Sequence, residues 1–180
     1  MSKINRPKQP EVLRAKILKA TQDVLLSEGL AALTQEKVLA QLDISKGGLQ
    51  HHFRTKQDLL DALFDHVYEG FEELYNDALA QEPEGPARHI RAYVIAASRS
   101  GSEEKLWGQT LVLLAVGNAN YQARWQRSLE DIAKADSLDP GKQLACRLFA
   151  DGLWYSLVIG PDHHMDHVQS ALQHILSLTE

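Results

Sequence analysis

Along nearly the whole chain, apolar residues recur three, four and seven positions apart, and no segment sustains an alternation of apolar with polar residues. The first spacing marks amphipathic helices and the second half-buried strands, so an all-α protein of about nine helices is predicted. Val12, Leu13, Ile17, Leu18, Val24 and Leu25 set one inward-facing stripe. That helix should stop at Ser27-Glu28-Gly29, because glycine readily takes the left-handed conformation that closes a helix. Leu59, Leu60, Leu63, Phe64, Val67, Phe71 and Leu74 set a longer stripe, from a cap at Thr55 to the breaker at 82–86. Further helices are predicted over 87–100, 103–116, 119–135, 142–159 and about 163–178. The breaks fall at Gly101, at Gly117-Asn118, at Asp139-Pro140-Gly141 and at Gly160-Pro161, and Asp162 caps the last helix.

Between the first and the long helix lie two short ones. Thr34 is placed to cap one of them, whose apolar face is Val38, Leu39 and Leu42. Asp43 and Ile44 make the turn, Ser45 is the next cap, and residues 46–53 form the third helix. Leu49 and Phe53 give that helix tertiary support, and it carries Lys46, Gln50, His51 and His52. Gly47 and Gly48 each cost roughly 1 kcal/mol against alanine in a helix. In return, a helix without bulk at those positions lets its backbone approach a partner closely. Two short helices joined by a tight turn are a device for laying the second helix in a DNA groove.

Charge supports that use. The net charge is −5, which alone disfavours nucleic acid, but residues 1–60 carry +4 and residues 61–180 carry −9. The distribution suits a polyanion-binding head on an acidic body. The head is expected at 1–54 and a helical second domain at 55–180, with the fourth helix linking them. Lys3, Arg6 and Lys8 precede Pro10 as a solvated tail or, in the second instance, as an arm for a minor groove. One cysteine, Cys146, makes neither an internal disulfide nor a cysteine-rich zinc site. No secretory signal or spanning segment is legible, so a cytoplasmic protein is expected.

With these residues in hand, the chain resembles the tetracycline-repressor (TetR) family of transcriptional regulators, chiefly over residues 13–64. The matching features are the turn Glu28-Gly29-Leu30, the cap Thr34, the run from Ile44 through Ser45, Lys46, Gly47, Gly48 and Leu49 to Phe53, and the close Lys56-Gln57-Asp58-Leu59-Leu60. Asp151-Gly152-Leu153-Trp154 is similar to some members of the family. Asp43 stands where the family has glycine; aspartate tolerates the left-handed conformation better than most residues, so the turn should survive. Gln50 stands where the family has tyrosine, which puts an amide on the DNA-facing surface.

The resemblance implies a homodimeric, sequence-specific regulator that binds double-stranded operator DNA: a repressor released by a small-molecule effector. DNA contacts are expected from Thr34, Ser45, Lys46, Gly47, Gly48, Gln50, His51, His52, Thr55 and Lys56. Helix N-termini with capping hydroxyls suit phosphate oxygens, while Lys, Gln and His side chains can read base edges. Dimerisation is expected from the last two helices, through Leu144, Leu148, Leu153, Leu157 and Val158 on one and Val168, Leu172, Ile175 and Leu176 on the other. The aromatics Trp107, Tyr121, Trp125, Phe149, Trp154 and Tyr155 are candidates for an effector pocket, and equally for the core. No enzyme, cofactor or metal is expected. The alternative is a metal-binding or catalytic helical protein using His163, His164 and His167, of which His163 and His167 are four apart on a helix. Asp162 and Asp166 beside them better suit that helix's N-terminus.

Overall fold

A computed structural model describes residues 9–100, 106–160 and 167–180, and every regular element among them is a helix. The predicted all-α class is what is found. The chain divides into two units, one ending at Asp65 and the other beginning at His66, inside α4 (Lys56–Gln81).

In the first unit, α1 (Gln9–Glu28) ends where Gly29 takes φ 82° and donates its N–H to the Leu25 carbonyl at 2.9 Å. A Cβ on Gly29 would meet nothing within 4 Å, so the backbone conformation rather than space requires glycine there. Ile17, Leu18, Val24 and Leu25 are buried, as their spacing predicts. Val12 is not: residues 10–12 are all exposed, and the stripe reaches the core only from Leu13 onward.

α2 (Gln35–Leu39) is a helix of five residues, and α3 (Lys46–His52) follows it. Leu42 lies past the end of α2, in a tighter turn where Gln41 and Leu42 donate to the Val38 and Leu39 carbonyls, so it is not on the helix as predicted. Leu33, Val38, Leu49 and Leu59 are fully buried and Phe53 nearly so. Each such side chain stabilises by about 1.5–3 kcal/mol, which offsets the poor propensity of two very short helices. Asp43 makes no use of its tolerance for the left-handed region, because Leu106 is the one non-glycine residue with positive φ among those described. The turn closes without that conformation.

The second unit continues along α4 and adds α5 (Arg88–Ser100), α6 (Trp107–Gly117), α7 (Ala119–Ala135), α8 (Pro140–Ile159) and α9 (Val168–Ser177). α5 is its axis: Ile90, Ala92, Tyr93, Val94, Ala96, Ala97 and Ser100 are all buried, and α6, α7, α8 and α9 pack on it. Phe71, Tyr93, Trp125 and Trp154 form one aromatic cluster, with ring centroids 5.1–6.4 Å apart. The buried Trp154 indole N–H is shared between the Ala97 carbonyl at 3.0 Å and Ser100 Oγ at 2.9 Å, so the largest apolar residue of the core leaves no donor unpaired. Gly108 is required by that packing, since a Cβ there would overlap the Trp154 indole.

Caps set the helix starts. Asp139 accepts from Gly141 N–H and Lys142 N–H, so α8 begins at Pro140, two residues before the predicted start. Asn118 caps α7 through Asn120 N–H. The N-terminus of α5 is capped from a distance: the Asp136 carboxylate, after α7, accepts from His89 N–H at 3.0 Å and Ile90 N–H at 2.7 Å. α6 begins at Trp107 rather than 103, because Leu106 has φ 52° and a left-handed residue cannot continue into a right-handed helix. Residues 103–105 lie outside the described residues. α9 begins at Val168 and ends at Ser177, inside the predicted 163–178, and residues 163–166 are also outside those described.

Candidate nucleic-acid interface and ligand clefts

The two expected caps of the helix pair form. Thr34 Oγ1 accepts from Lys37 N–H at 3.3 Å, and Ser45 Oγ accepts from Gly48 N–H at 3.1 Å. At the start of α4, Thr55 Oγ1 accepts from Asp58 N–H while the Asp58 carboxylate accepts from Thr55 N–H, both at 3.0 Å. That reciprocal box satisfies two helix-end donors at once. It was legible as threonine followed three residues later by an acid, although aspartate rather than glutamate fills the acidic position. All three hydroxyls are therefore structural, and all three residues are exposed.

Leu49 anchors α3 inward, fully buried, and Phe53 closes it. The Gln35 side-chain amide donates to the Phe53 carbonyl at 3.1 Å, and the Arg14 guanidinium lies 5.6 Å from the Phe53 ring centroid. The opposite surface carries Lys46, Gly47, Gln50 and His51, all exposed, with His52 and Gly48 half-buried. The His51 and His52 rings meet edge to face at 5.6 Å. Lys46 lies 3.9 Å from the exposed Glu36 carboxylate, a pairing weak enough for a phosphate to displace. A Cβ on Gly47 would come no nearer than 3.9 Å to Ser45 Oγ, so nothing inside the protein demands a glycine there. Lys56 has a role that its sequence position does not reveal: half-buried, its ammonium donates to the Leu30 carbonyl at 3.1 Å and pins the loop after α1.

The second unit contains two clefts that share Trp125. One, of about 280 Å³, lies among α6, α7 and α8, lined by Leu111, Val112, Trp125, Trp154, Tyr155 and others, with Arg147 and Asp151 as its ion pair. The other, of about 340 Å³, lies among α4, α5 and α7. Of the six aromatics expected to line an effector site, Trp125, Trp154 and Tyr155 reach these clefts. Trp107 instead packs beside His66 and over Gly70, where an added Cβ would come within 2.6 Å of its ring. Tyr121 is a core residue, 3% exposed. Phe149, half-buried, borders neither cleft. The second cleft depends on Tyr68 and Tyr75 of α4 and on His89, which periodicity alone did not single out.

Two tyrosines of the second unit, half-buried Tyr75 and buried Tyr93, have their hydroxyls shifted upward. Burial, with Asp136 nearby, pushes the Tyr75 hydroxyl up to about 12, and that hydroxyl is hydrogen-bonded to His89 Nδ1 at 2.7 Å. Burial raises Tyr93 well above the usual phenol range, helped by Asp151, whose carboxylate accepts its hydroxyl at 3.2 Å.

α8 has a second face. Leu144, Leu148, Tyr155 and Ile159 are 51–69% exposed, while Cys146, Ala150 and Trp154 point to the core. Leu153, Leu157 and Val158 are half-buried, and on α9 Leu172 is buried while Val168, Ile175 and Leu176 are half-buried. Among the described residues there is no group of three or more His, Cys, Asp or Glu arranged to hold a metal ion, and no helix long and apolar enough to cross a membrane. His163 and His164, with Asp162 and Asp166, lie outside the described residues, as do Lys3, Arg6 and Lys8.

Comparison with known proteins gives a consistent pattern. Residues 87–180 match the family model described as the tetracyclin repressor-like C-terminal domain, and residues 17–63 match that of bacterial regulatory proteins of the tetR family. The chain is 26% identical over 158 residues to the HTH-type transcriptional regulator BetI of Burkholderia cenocepacia, which covers 80% of this chain and 81% of the relative. Among solved structures, a Rhodococcus transcriptional regulator superposes with a TM-score of 0.68 at 17% identity, covering 96% of both chains. AmtR of Mycobacterium smegmatis superposes with a TM-score of 0.65 at 21% identity, covering 96% of this chain and 88% of that one.

Proposed function

Because the chain belongs to the TetR family and is a DNA-binding transcriptional regulator, we propose that α3 is its recognition helix and enters the major groove of operator DNA. Residues 1–54 are then the reading head, and residues 55–180 bind the effector and dimerise. Lys46, Gln50, His51 and His52 face base edges, with Gln50 suited to a two-pronged contact with adenine. Thr34, Ser45 and Thr55 bring helix N-termini to phosphates, and Lys56 acts by holding the loop behind them. The observation that carries this assignment is the surface of α3. Its inward residue Leu49 is fully buried, while Gly47 is exposed with room for a methyl group that the chain does not place there.

Dimerisation fits the exposed stripe Leu144, Leu148, Tyr155 and Ile159 on α8, together with α9. Two heads on one dimer would read half-sites about one helical turn apart. Leu148→Glu is expected to shift the sedimenting species from dimer to monomer; an unchanged dimer would move the interface elsewhere. Either cleft can accept an effector that releases the repressor by favouring one arrangement of the dimer. Work on operator DNA puts the protein in the cytoplasm.

The test begins with selection of bound sequences from random duplex DNA. Titration of the selected duplex with Lys46→Ala and Gln50→Ala should then show weaker binding, by about 1–3 kcal/mol for a lost base contact. If both variants bind like the parent, with unchanged melting, α3 is not the reading helix.

A further inference from the structure

We infer, resting on the effector reading above, that the cleft among α4, α5 and α7 takes an organic cation with an apolar or aromatic body. Its volume of about 340 Å³ lies near the lower end of the ~300–1,000 Å³ range typical of ligand clefts, so the ligand is small. Its walls are aromatic. Tyr68, Phe71 and Tyr75 follow one another along α4 at spacings of three and four. Trp125 stands edge-on to Tyr68 at 6.2 Å and to Phe71 at 5.1 Å. Aromatic faces carry negative potential and attract a cation lying within about 6 Å of the ring.

Charge points the same way. The charged residues lining the cleft are Glu72 on α4 and Asp131 on α7, both exposed, and none of the described lining residues is Lys or Arg. The phenol hydroxyls are engaged, Tyr68 with Ser128 Oγ and Tyr75 with His89 Nδ1. An anionic ligand would therefore meet two carboxylates, and a neutral hydrogen-bonding ligand would compete with bonds already made. Nearby guanidinium groups do not reverse the balance. Arg88 is ion-paired with Glu84 and donates to the Leu79 carbonyl, while Arg124 lies 5.4 Å from the Tyr68 ring centroid, itself a cation on one of these rings. A ligand whose charge sits between Glu72 and Asp131 and whose body lies against Tyr75, Phe71 and Trp125 satisfies every wall of the cleft.

The test titrates the full chain with three probes that share a benzyl body and differ in charge: benzyltrimethylammonium, benzyl alcohol and phenylacetate. Binding is followed by calorimetry and by tryptophan emission. The cation is expected to bind at least about tenfold more tightly than either of the others, a difference set by the aromatic faces and the two carboxylates. Glu72→Gln combined with Asp131→Asn, both exposed and with the melt checked against the parent, should abolish that preference. Benzyl alcohol binding as tightly as the cation would leave the effector cleft standing and overturn its cationic class. A preference that survives the double substitution would also overturn it, by placing the cation elsewhere. If no probe binds, the cleft fails as an effector site and the proposal fails with it.

Discussion

Replacing Gly47 by alanine sets the stability of α3 against its use. Gly47 is not one of the glycines with positive φ, so alanine can adopt its backbone conformation. The new methyl would find Ser45 Oγ at 3.9 Å, an ordinary contact. Alanine is favoured over glycine by up to about 1 kcal/mol in a helix. In a chain of 180 residues, that gain corresponds to a rise in Tm of roughly 2–4 °C. The methyl would project from the exposed surface of the proposed recognition helix, where the backbone comes closest to the duplex. A loss of one close contact there is expected to weaken operator binding by about tenfold or more, equivalent to roughly 1.4 kcal/mol. Scanning calorimetry and a band-shift titration on the selected duplex measure the two effects on one preparation. A raised Tm with unchanged operator affinity would refute the close approach of α3 to DNA. A lowered Tm would refute the statement that the space around Gly47 is open.

Gly108→Ala should destabilise by about 1–3 kcal/mol, because its methyl overlaps the Trp154 indole and core overpacking costs that much; an unchanged melt would refute the contact. Asp136→Ala removes the acceptor of two α5 amides and should cost about 0.5–2 kcal/mol, with faster hydrogen exchange at His89 and Ile90, whereas Asp136→Asn should cost less. The Tyr75 hydroxyl is raised in the folded protein from 10.0 to about 12, so its contribution to stability is full below pH 10 and is lost as pH rises toward 12. Tyr75→Phe should flatten that part of the alkaline melting profile, and identical profiles for both proteins would contradict the burial of this phenol.

Features carried by local chemistry were legible from the residues alone. Gly29 ends α1 and Thr34 and Ser45 start α2 and α3 because turn and cap preferences act within four residues. The core face of α3 followed from Leu49 and Phe53. What escaped depends on residues distant in sequence. Leu106 adopts a left-handed conformation that no leucine announces, and so delays α6. Val12 has helical spacing but lies on an exposed opening turn. Trp107 and Tyr121 were as plausible for a pocket as Trp125, and only packing separates them. Lys56 has the charge of a phosphate ligand, yet its ammonium is bonded to a carbonyl 26 residues earlier. Tyr68 and Tyr75 become a cleft only when α7 is laid beside α4.

The distant cap on α5 has a consequence for synthesis. Two first-turn amides of the helix at the axis of the second unit, those of His89 and Ile90, are bonded to a carboxylate 47 and 46 residues further along the chain. At the roughly 5–20 residues per second of ribosomal elongation, the amides of α5 wait about 2–9 s for their carboxylate. During that interval α5, with more buried residues than any of the helices after it, exists without its cap and without α8 and α9, which are made later still. The nascent second unit thus carries its aggregation hazard early and its remedy late, and the translation time between Ile90 and Asp136 is the window in which a chaperone has most to protect.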